Sequence, residues 1–246
     1  MLIYIVRHGE TDWNRQRRLQ GQTDIPLNEK GIKLAEITGE ALSQIPFDIC
    51  FTSPLVRAVQ TADAILKQND GYLQRAKAVF QNDPAWERRI LLTESGLPVI
   101  PDRRIMELDF GSWEGLGCGA DNYEIPVPEF DRFFTDPAHF LLSQDGEQLD
   151  DLKRRTHEFL QRLSAREELE NKIVLLTTHG CAMRALLNPF YKDPEQFWQS
   201  HVPYNCETAV IEVENNGTMR LTEPGKIFYD AKLAANYRDA DAKAHS

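Results

Sequence analysis

Two stretches of this 246-residue chain share one pattern, an apolar run that stops at His-Gly. The first is Leu2-Ile3-Tyr4-Ile5-Val6-Arg7-His8-Gly9-Glu10-Thr11, and the second is Lys172-Ile173-Val174-Leu175-Leu176-Thr177-Thr178-His179-Gly180. A run without polar alternation reads as a strand covered on both faces, the habit of parallel sheets in α/β proteins. Ligands of open α/β sheets gather just beyond the carboxyl ends of the strands. The chain has 6 histidines in all, and two of them fall at such ends. If the two strands lie side by side, His8 and His179 meet. Arg7 adds a cation that can hold an anion. Gly9, having no side chain, is expected to let a substrate approach the backbone closely.

Composition narrows what such a site can serve. A formal net charge of −10 argues against a general nucleic-acid or membrane-surface binder. The attraction for an anionic substrate must therefore come from a local cluster of Arg and His. The 41% hydrophobic and 27% charged content suits a soluble globular chain able to bury a core without staples. Cys50, Cys118, Cys181 and Cys206 are widely spaced with no C-x-x-C pair, so reduced thiols in a cytoplasmic protein are expected. The opening run is too short for a signal-peptide core, and no stretch reaches membrane-spanning length. One domain over 1–246 is expected, with an insertion at about 68–96 and a tail from 232 to 246 that frays.

Between the two strand ends the pattern alternates helix and strand. Asn28 is placed to cap a helix with apolar positions Ile32, Leu34, Ala35, Ile37, Ala41 and Leu42. Phe47–Thr52 reads as a second strand. Ser53-Pro54 reads as the cap and first-turn pair of the helix that follows, which carries Leu55, Val56, Val59, Ala62, Ile65 and Leu66. Arg57 falls in its first turns, near free amides and the positive dipole end, a good place to bind an oxyanion. Leu97–Pro101 reads as an edge strand, because its prolines cannot donate to a ladder. Arg103–Gly115 suits an ordered loop, and the Pro-, Phe- and Asp-rich stretch to Gly146 is expected to wrap the surface. Leu149–Leu163 is an amphipathic helix, a further helix starts at Cys181, and Ala209–Val213 with Thr218–Leu221 form a hairpin around Asn215-Asn216-Gly217.

With the two strand ends adjacent, His8, His179, Arg7 and Arg57 converge, and Asn14 lies on the nearby loop. That charge and donor set suits a dianionic phosphoryl group. A neutral imidazole can attack phosphorus to give a phosphohistidine, and the leaving alkoxide then needs a carboxylic acid as proton source. Glu107, in a loop rich in glycine and aromatic residues, is the candidate, with Glu10 and Glu114 as competitors.

The motifs in their order resemble the histidine phosphatase superfamily, the phosphoglycerate mutase-like proteins of branch 1. They are Arg7-His8-Gly9-Glu10-Thr11, Leu19-Gln20-Gly21 through Pro26-Leu27-Asn28 to Gly31, and Thr52-Ser53-Pro54-Leu55 with Arg57-Ala58 and Gln60-Thr61-Ala62. Glu107-Leu108-Asp109-Phe110-Gly111 with Trp113-Glu114-Gly115, and Thr178-His179-Gly180, complete the set. The resemblance implies an α/β fold, a three-layer α/β/α sandwich with a mainly parallel central sheet. It implies His8 as the phosphorylated nucleophile, Glu107 as proton donor and then base, and His179 as a catalytic partner. Arg7, Arg57, Asn14 and Gly180 would hold the phosphate. No cofactor and no metal are implied. Two regions depart from compact members: the long segment between the Arg57 helix and Val99, and Leu116–Gly146, where only Gly146-Glu147 resembles a common signature.

Each of these residues has a plainer reading. His8 and His179 could be buried histidines at strand ends, and Arg57 a helix-surface charge. Glu107 could pair with Arg103 or Arg104, and Asn14 could serve its own loop. Cys181 reads as a small residue packed at a helix start. Trp86 and Ile90-Leu91-Leu92 could form a lid or, preferably, pack the insertion on the core. No His-x-His or His-Glu-x-x-His spacing supports a metal site, and the arginines would oppose a cation. The expected activity is hydrolysis of a small phosphomonoester by a cytoplasmic monomer or homodimer with no nucleic-acid or membrane partner. The alternatives are a cofactor-dependent phosphoglycerate mutase and a non-catalytic phospholigand-binding protein.

Overall fold

Leu2–Arg7 forms strand β1, and Ile173–Thr178 forms its parallel neighbour β5, in register from Leu2 opposite Ile173 to Arg7 opposite Thr178. The two His-Gly strand ends therefore lie side by side, as the apolar runs predict. The computed structural model describes residues 1–82, 89–128, 130–199 and 201–234. The remaining elements follow in chain order. Helix α1 (Asp12–Arg15) and α2 (Glu29–Ala41) precede β2 (Ile49–Thr52), and α3 (Val56–Leu66) and α4 (Tyr72–Asn82) lead to β3 (Leu91–Leu92) and β4 (Pro98–Pro101). Then come α5 (Arg132–Thr135), α6 (Leu149–Ser164), β5, α7 (Gly180–Leu187), β6 (Thr208–Val213) and β7 (Met219–Lys226).

One seven-stranded sheet runs in the order β3-β4-β2-β5-β1-β6-β7. Its central pairings, β4 with β2, β2 with β5 and β5 with β1, are parallel, while β3 with β4, β1 with β6 and β6 with β7 are antiparallel. The sheet is thus mixed, with a parallel centre. Every residue of β2 is buried, as is β5 from Val174 onward, so both faces are covered. Helix α2 packs on α3 and α6 on α7 to supply that cover. No helix among the described residues is long and apolar enough to cross a membrane.

Three expectations change. Pro98–Pro101 is not an edge strand: it lies between β3 and β2, with Val99 opposite Leu91 and Ile100 opposite Phe51. Its prolines sit at the strand's two ends, where a missing N–H costs little, and the Pro98 carbonyl still accepts from the Tyr72 hydroxyl at 2.6 Å. The real edge is the two-residue β3, and a short edge strand gives little purchase for mispairing. Leu91 and Leu92 are exposed there, with Ile90 packed against the main core, so this run is no lid; Trp86 lies outside the described residues.

The expected insertion at 68–96 also contributes to the core. Helix α4 buries Tyr72, Ala76, Val79 and Phe80 in the main apolar cluster with β2 and β4. The 116–146 stretch does more than wrap the surface. Ile125, Phe130, Phe133, Phe140 and Leu142 from it join Leu108, Phe110 and Trp113 in a second core, closed by Phe197 and Trp198. This second core stands over the carboxyl ends of β1 and β5 and forms one wall of the site described next.

Candidate active site

The chain leaves β1 at Arg7 with the His8 amide donating to the Thr178 carbonyl at 2.9 Å, which extends the β1–β5 pairing by one step. The His8 ring consequently lies 5.1 Å from that of His179, centroid to centroid. Its Nδ1 meets the Gly9 carbonyl at 2.7 Å. A carbonyl can only accept, so Nδ1 carries the proton and Nε2 keeps its lone pair. Burial, then the Arg57 and Arg7 cations, hold the His8 pKa well below the ordinary histidine range. The imidazole is thereby kept neutral, the form able to attack an electrophile.

His179 is fixed just as firmly. Its Nδ1 faces Arg57 Nε at 3.2 Å and its Nε2 faces Ser53 Oγ at 2.7 Å. A guanidinium can only donate, so Nδ1 accepts and Nε2–H donates to Ser53. Burial and the neighbouring Arg57 push its pKa down as well. Ser53 is therefore committed mainly to the site, its Oγ keeping only a long 3.4 Å bond from the Leu55 amide at the helix entry. Helix α3 begins later, at Val56, with Leu55 at its N-cap and no side-chain cap bond.

Arg57 is fully buried, in the first turn of α3 as expected. Besides His179 it donates to the Gly21 carbonyl at 2.6 Å and the Thr23 carbonyl at 2.9 Å. Those carbonyls belong to a turn that Glu114 holds together by accepting from the amides of Gln22 and Thr23, each at 2.7 Å. Glu114 is thus occupied in positioning the turn. Glu10 accepts from Asn28 Nδ2 at 3.0 Å and pairs with Lys30 at 2.8 Å, also away from the site. Neither competitor lines the recess at the strand ends.

Glu107 does line it. Its Oε1 accepts from the amides of Leu108 (3.0 Å) and Ala182 (3.1 Å), and its Oε2 from the amide of Cys181 (3.1 Å). The last two are first-turn amides of α7, which have no partner within the helix. The loop that carries Glu107 is gripped by Arg155 of α6. That guanidinium donates to the carbonyls of Arg104, Met106 and Glu107 at 2.9, 2.7 and 2.8 Å, and to both oxygens of Glu147. Its five N–H groups are all used. Arg103 and Arg104 are not partners of the Glu107 side chain; Arg104 pairs instead with Asp102 at 2.7 Å.

The recess spans about 510 Å³ between the atoms, part of it open solvent. Arg7, His8, Asn14, Gln20, Glu107 and Gly180 form its polar end. Among the described residues, Arg7 Nε and Gln20 Nε2 are buried nitrogens with no hydrogen-bond partner. A Cβ built on Gly180 would lie 3.6 Å from both Arg7 Nε and Glu107 Oε2, so those atoms face a common space. Arg7 is aimed there because its Nη1 donates to the Pro203 carbonyl, while Asn205 Nδ2 donates to the His8 carbonyl at 3.1 Å. Asn14 lines the recess, and it also serves its own turn, closing the capping box while donating to Gln20 Oε1 at 3.2 Å. Arg57 and His179 are brought to the site one layer behind its open wall.

One reading is corrected here, and another holds. Gly9 does not line the recess; what comes close is helix α2, whose Gly31 carbonyl would lie 2.4 Å from a Cβ at Gly9. Cys181 sits at the start of α7 as expected, and burial with the nearby Glu107 pushes its thiol well above the ordinary range. Gln20, Arg155, Glu147 and Ser53 were not read as site residues from sequence. Leu19-Gln20-Gly21, Thr52-Ser53-Pro54-Leu55 and Gly146-Glu147 do hold three of them, as motifs that assign them no task at the site.

An α/β fold with two histidines and two arginines at its parallel strand ends defines the class, and comparison with known proteins gives the family. The family model of the histidine phosphatase superfamily (branch 1) matches residues 3–78 and 88–223. The chain belongs to that superfamily. It is 33% identical over 194 residues to "Uncharacterized phosphatase PhoE" of Bacillus subtilis (strain 168), covering 78% of this chain and 79% of that one. It is 29% identical over 221 residues to 2,3-bisphosphoglycerate-dependent phosphoglycerate mutase 2 of Gloeobacter violaceus, 88% of each chain. Among solved structures, YhfR of Bacillus stearothermophilus superposes with a TM-score of 0.74 at 29% identity, over 92% of this chain and 97% of that one.

Proposed function

We propose that this chain is a phosphomonoesterase that hydrolyses small phosphorylated metabolites through a covalent phosphohistidine on His8, with Glu107 as general acid and base. The observation that carries this reading is the single lone pair left on His8 Nε2, beside two buried donors, Arg7 Nε and Gln20 Nε2, that have no protein partner. Buried donors are almost always satisfied, so two unfilled ones beside a neutral imidazole mark where oxyanions belong.

In the first half-reaction His8 Nε2 forms a bond to phosphorus as the ester P–O bond breaks. Glu107 delivers a proton to the departing alkoxide. Arg7, Gln20, Asn14 and the Gly180 end of α7 take the equatorial oxygens, where charge is spread during transfer. Arg57 adds a second positive charge from behind, and its grip on His179 keeps a neutral imidazole tilted against His8. In the second half, Glu107 takes a proton from water, the water oxygen bonds to phosphorus, the P–N bond breaks, and inorganic phosphate leaves. His8 returns to its starting tautomer.

The mutase relative supports a second reading, in which the phosphoryl group is handed back to the bound product. Incubation with 3-phosphoglycerate and bisphosphoglycerate separates the two. Release of inorganic phosphate without 2-phosphoglycerate is expected; rapid interconversion with little hydrolysis would reverse the choice. The His8→Ala variant is expected to lose turnover of 4-nitrophenyl phosphate entirely, and wild-type rates in that variant would rule out the phosphohistidine route.

A further inference from the structure

Beyond the polar end, the recess changes character. Its remaining walls include Leu19, Phe110, Phe133, Phe134, Trp198 and Val202. The aromatic members are locked against one another: Phe133 meets Trp198 edge to face at 5.2 Å, and Phe134 meets Trp198 at 5.5 Å, tilted by 39°. Phe110 closes on Phe133 at 5.8 Å. The Trp198 indole N–H, the one polar handle in this group, is used by the Phe133 carbonyl at 2.8 Å. It presents only ring surface to the cavity.

The wall belongs to the second core, so it is held in place by packing rather than by a mobile loop alone. One further cation lines the recess, Arg18. It donates to the Gly115 carbonyl at 2.6 Å and to Gln16 Oε1 at 3.1 Å, and it pairs with Glu124 at 3.5 Å. Its Nε and Nη1 are thereby engaged at the solvent-exposed mouth, away from the aromatic wall's packed core. A leaving group bearing a carboxylate or several hydroxyls would set those polar groups against Phe133, Phe134 and Trp198, losing water without gaining partners. A flat apolar group would instead gain by burial and ring contact.

We infer that the alcohol part of the substrate is apolar and flat, an aryl or arylalkyl phosphomonoester, seated between Leu19 and the Phe133–Phe134–Trp198 wall. This deepens the phosphatase reading and rests on the phosphoryl group lying at His8. The carboxylated three-carbon substrates of a mutase fit these walls poorly.

The test compares 2-phenylethyl phosphate with glycerol 3-phosphate. Both release a primary alcohol, so leaving-group acidity does not favour either. For the purified chain, kcat/KM is expected to be at least about tenfold higher for the phenylethyl ester, the order of discrimination an apolar pocket supplies. Replacing Phe134→Ser should bring the ratio toward one. Equal turnover of the two esters by the wild-type chain would overturn the inference and leave the phosphatase reading standing. Calorimetry with two phosphonates, 2-phenylethylphosphonate and 2-carboxyethylphosphonate, tests the same preference without turnover. Tighter binding of the phenyl compound is expected, and equal or reversed affinities would overturn the inference even if neither ester is hydrolysed.

Discussion

Glu147 receives both arms of Arg155, from Nε at 2.6 Å and Nη2 at 2.7 Å, and the pair together anchors the backbone that presents Glu107. The ion pair is half-buried and bidentate, a geometry that only a guanidinium provides. Arg155→Lys offers three donors on one atom to acceptors arranged around a planar fork. Loss of the fork should shift Glu107 without touching Arg7 or Gln20. The expected result is a fall in kcat of roughly 10–100-fold with KM little changed, since small misplacements of a catalytic group cost about that much. Steady-state kinetics on an alkyl phosphate decide it; a change confined to KM would mean that Arg155 acts on substrate binding instead.

The acid limb of the pH–rate profile should lie low. On the proposed route His8 must be neutral to attack, and burial with the Arg57 and Arg7 charges holds its pKa well below the ordinary histidine range. Activity dependent on His8 is therefore expected to persist as pH falls through about 6.5, where an unperturbed histidine would already be half protonated. A kcat/KM profile on a single ester measures this. An acid limb centred at or above 6.5 would show that Arg57 and Arg7 are answered by other charges during catalysis.

Stability should follow the opposite ends of the same titrations. His8 and His179 are neutral in the native chain, and both have lowered pKa values. The unfolded chain binds their protons near pH 6.5 and the folded chain does not. Unfolding is therefore favoured as pH drops below about 6.5, by up to ~1.4 kcal/mol per pH unit for each group until its native pKa is reached. Denaturant midpoints at pH 7.5 and 5.5 should differ, with the lower midpoint at pH 5.5. The aspartates held low by partners, Asp63 and Asp102, add their own loss only in more acidic solution, below the ordinary carboxylate range. Equal midpoints would mean that the two imidazoles protonate within the folded protein at ordinary pH.

Glu107→Gln separates the two halves of the proposed reaction. The amide oxygen can still accept from Leu108 and Ala182, but the NH2 group then faces the Cys181 amide, where Glu107 Oε2 accepted. It neither donates a proton to an alkoxide nor takes one from water. Loss of acid–base catalysis is worth about 10²–10⁴-fold. The loss should be larger for an alkyl ester than for 4-nitrophenyl phosphate in the first half-reaction, since nitrophenolate leaves without help. A burst of nitrophenol followed by slow turnover is the expected signature. Equal losses on both esters with no burst would move the acid role away from Glu107.

Much of this site can be read from the chain because its parts sit on long, unambiguous apolar runs. The His8 and His179 strand ends, Arg57 in the first turn of its helix and Glu107 in its loop were all legible from local pattern. What was not legible depends on partners distant in sequence. Ser53 looks like a helix cap locally, but His179 claims its hydroxyl at 2.7 Å across the β2–β5 boundary. Gly9 looks like an opening for substrate until Gly31 is seen against it. Pro98 and Pro101 suggest an edge, and only β3 pairing outside them shows otherwise. The aromatic content of 116–146 lacks a clear period, so its burial beneath Trp198 could not be inferred from spacing. Gln20 was visible as a residue but not as a donor left unfilled, which is a property of three dimensions alone.

The register that sets Arg7 opposite Thr178 also says when in the life of the chain this chemistry can begin. Arg7 takes its aim from a carbonyl 196 residues away, and Arg57 reaches His179 across 122. Contacts of such long range close late, because their loop entropy must be met before they give any return. A chain still emerging from synthesis, or one whose β5 has come away, holds His8 as an ordinary exposed imidazole without its Arg7 geometry. On the proposed mechanism, phosphoryl transfer is therefore an outcome of completed folding, open only to chains that have closed the sheet.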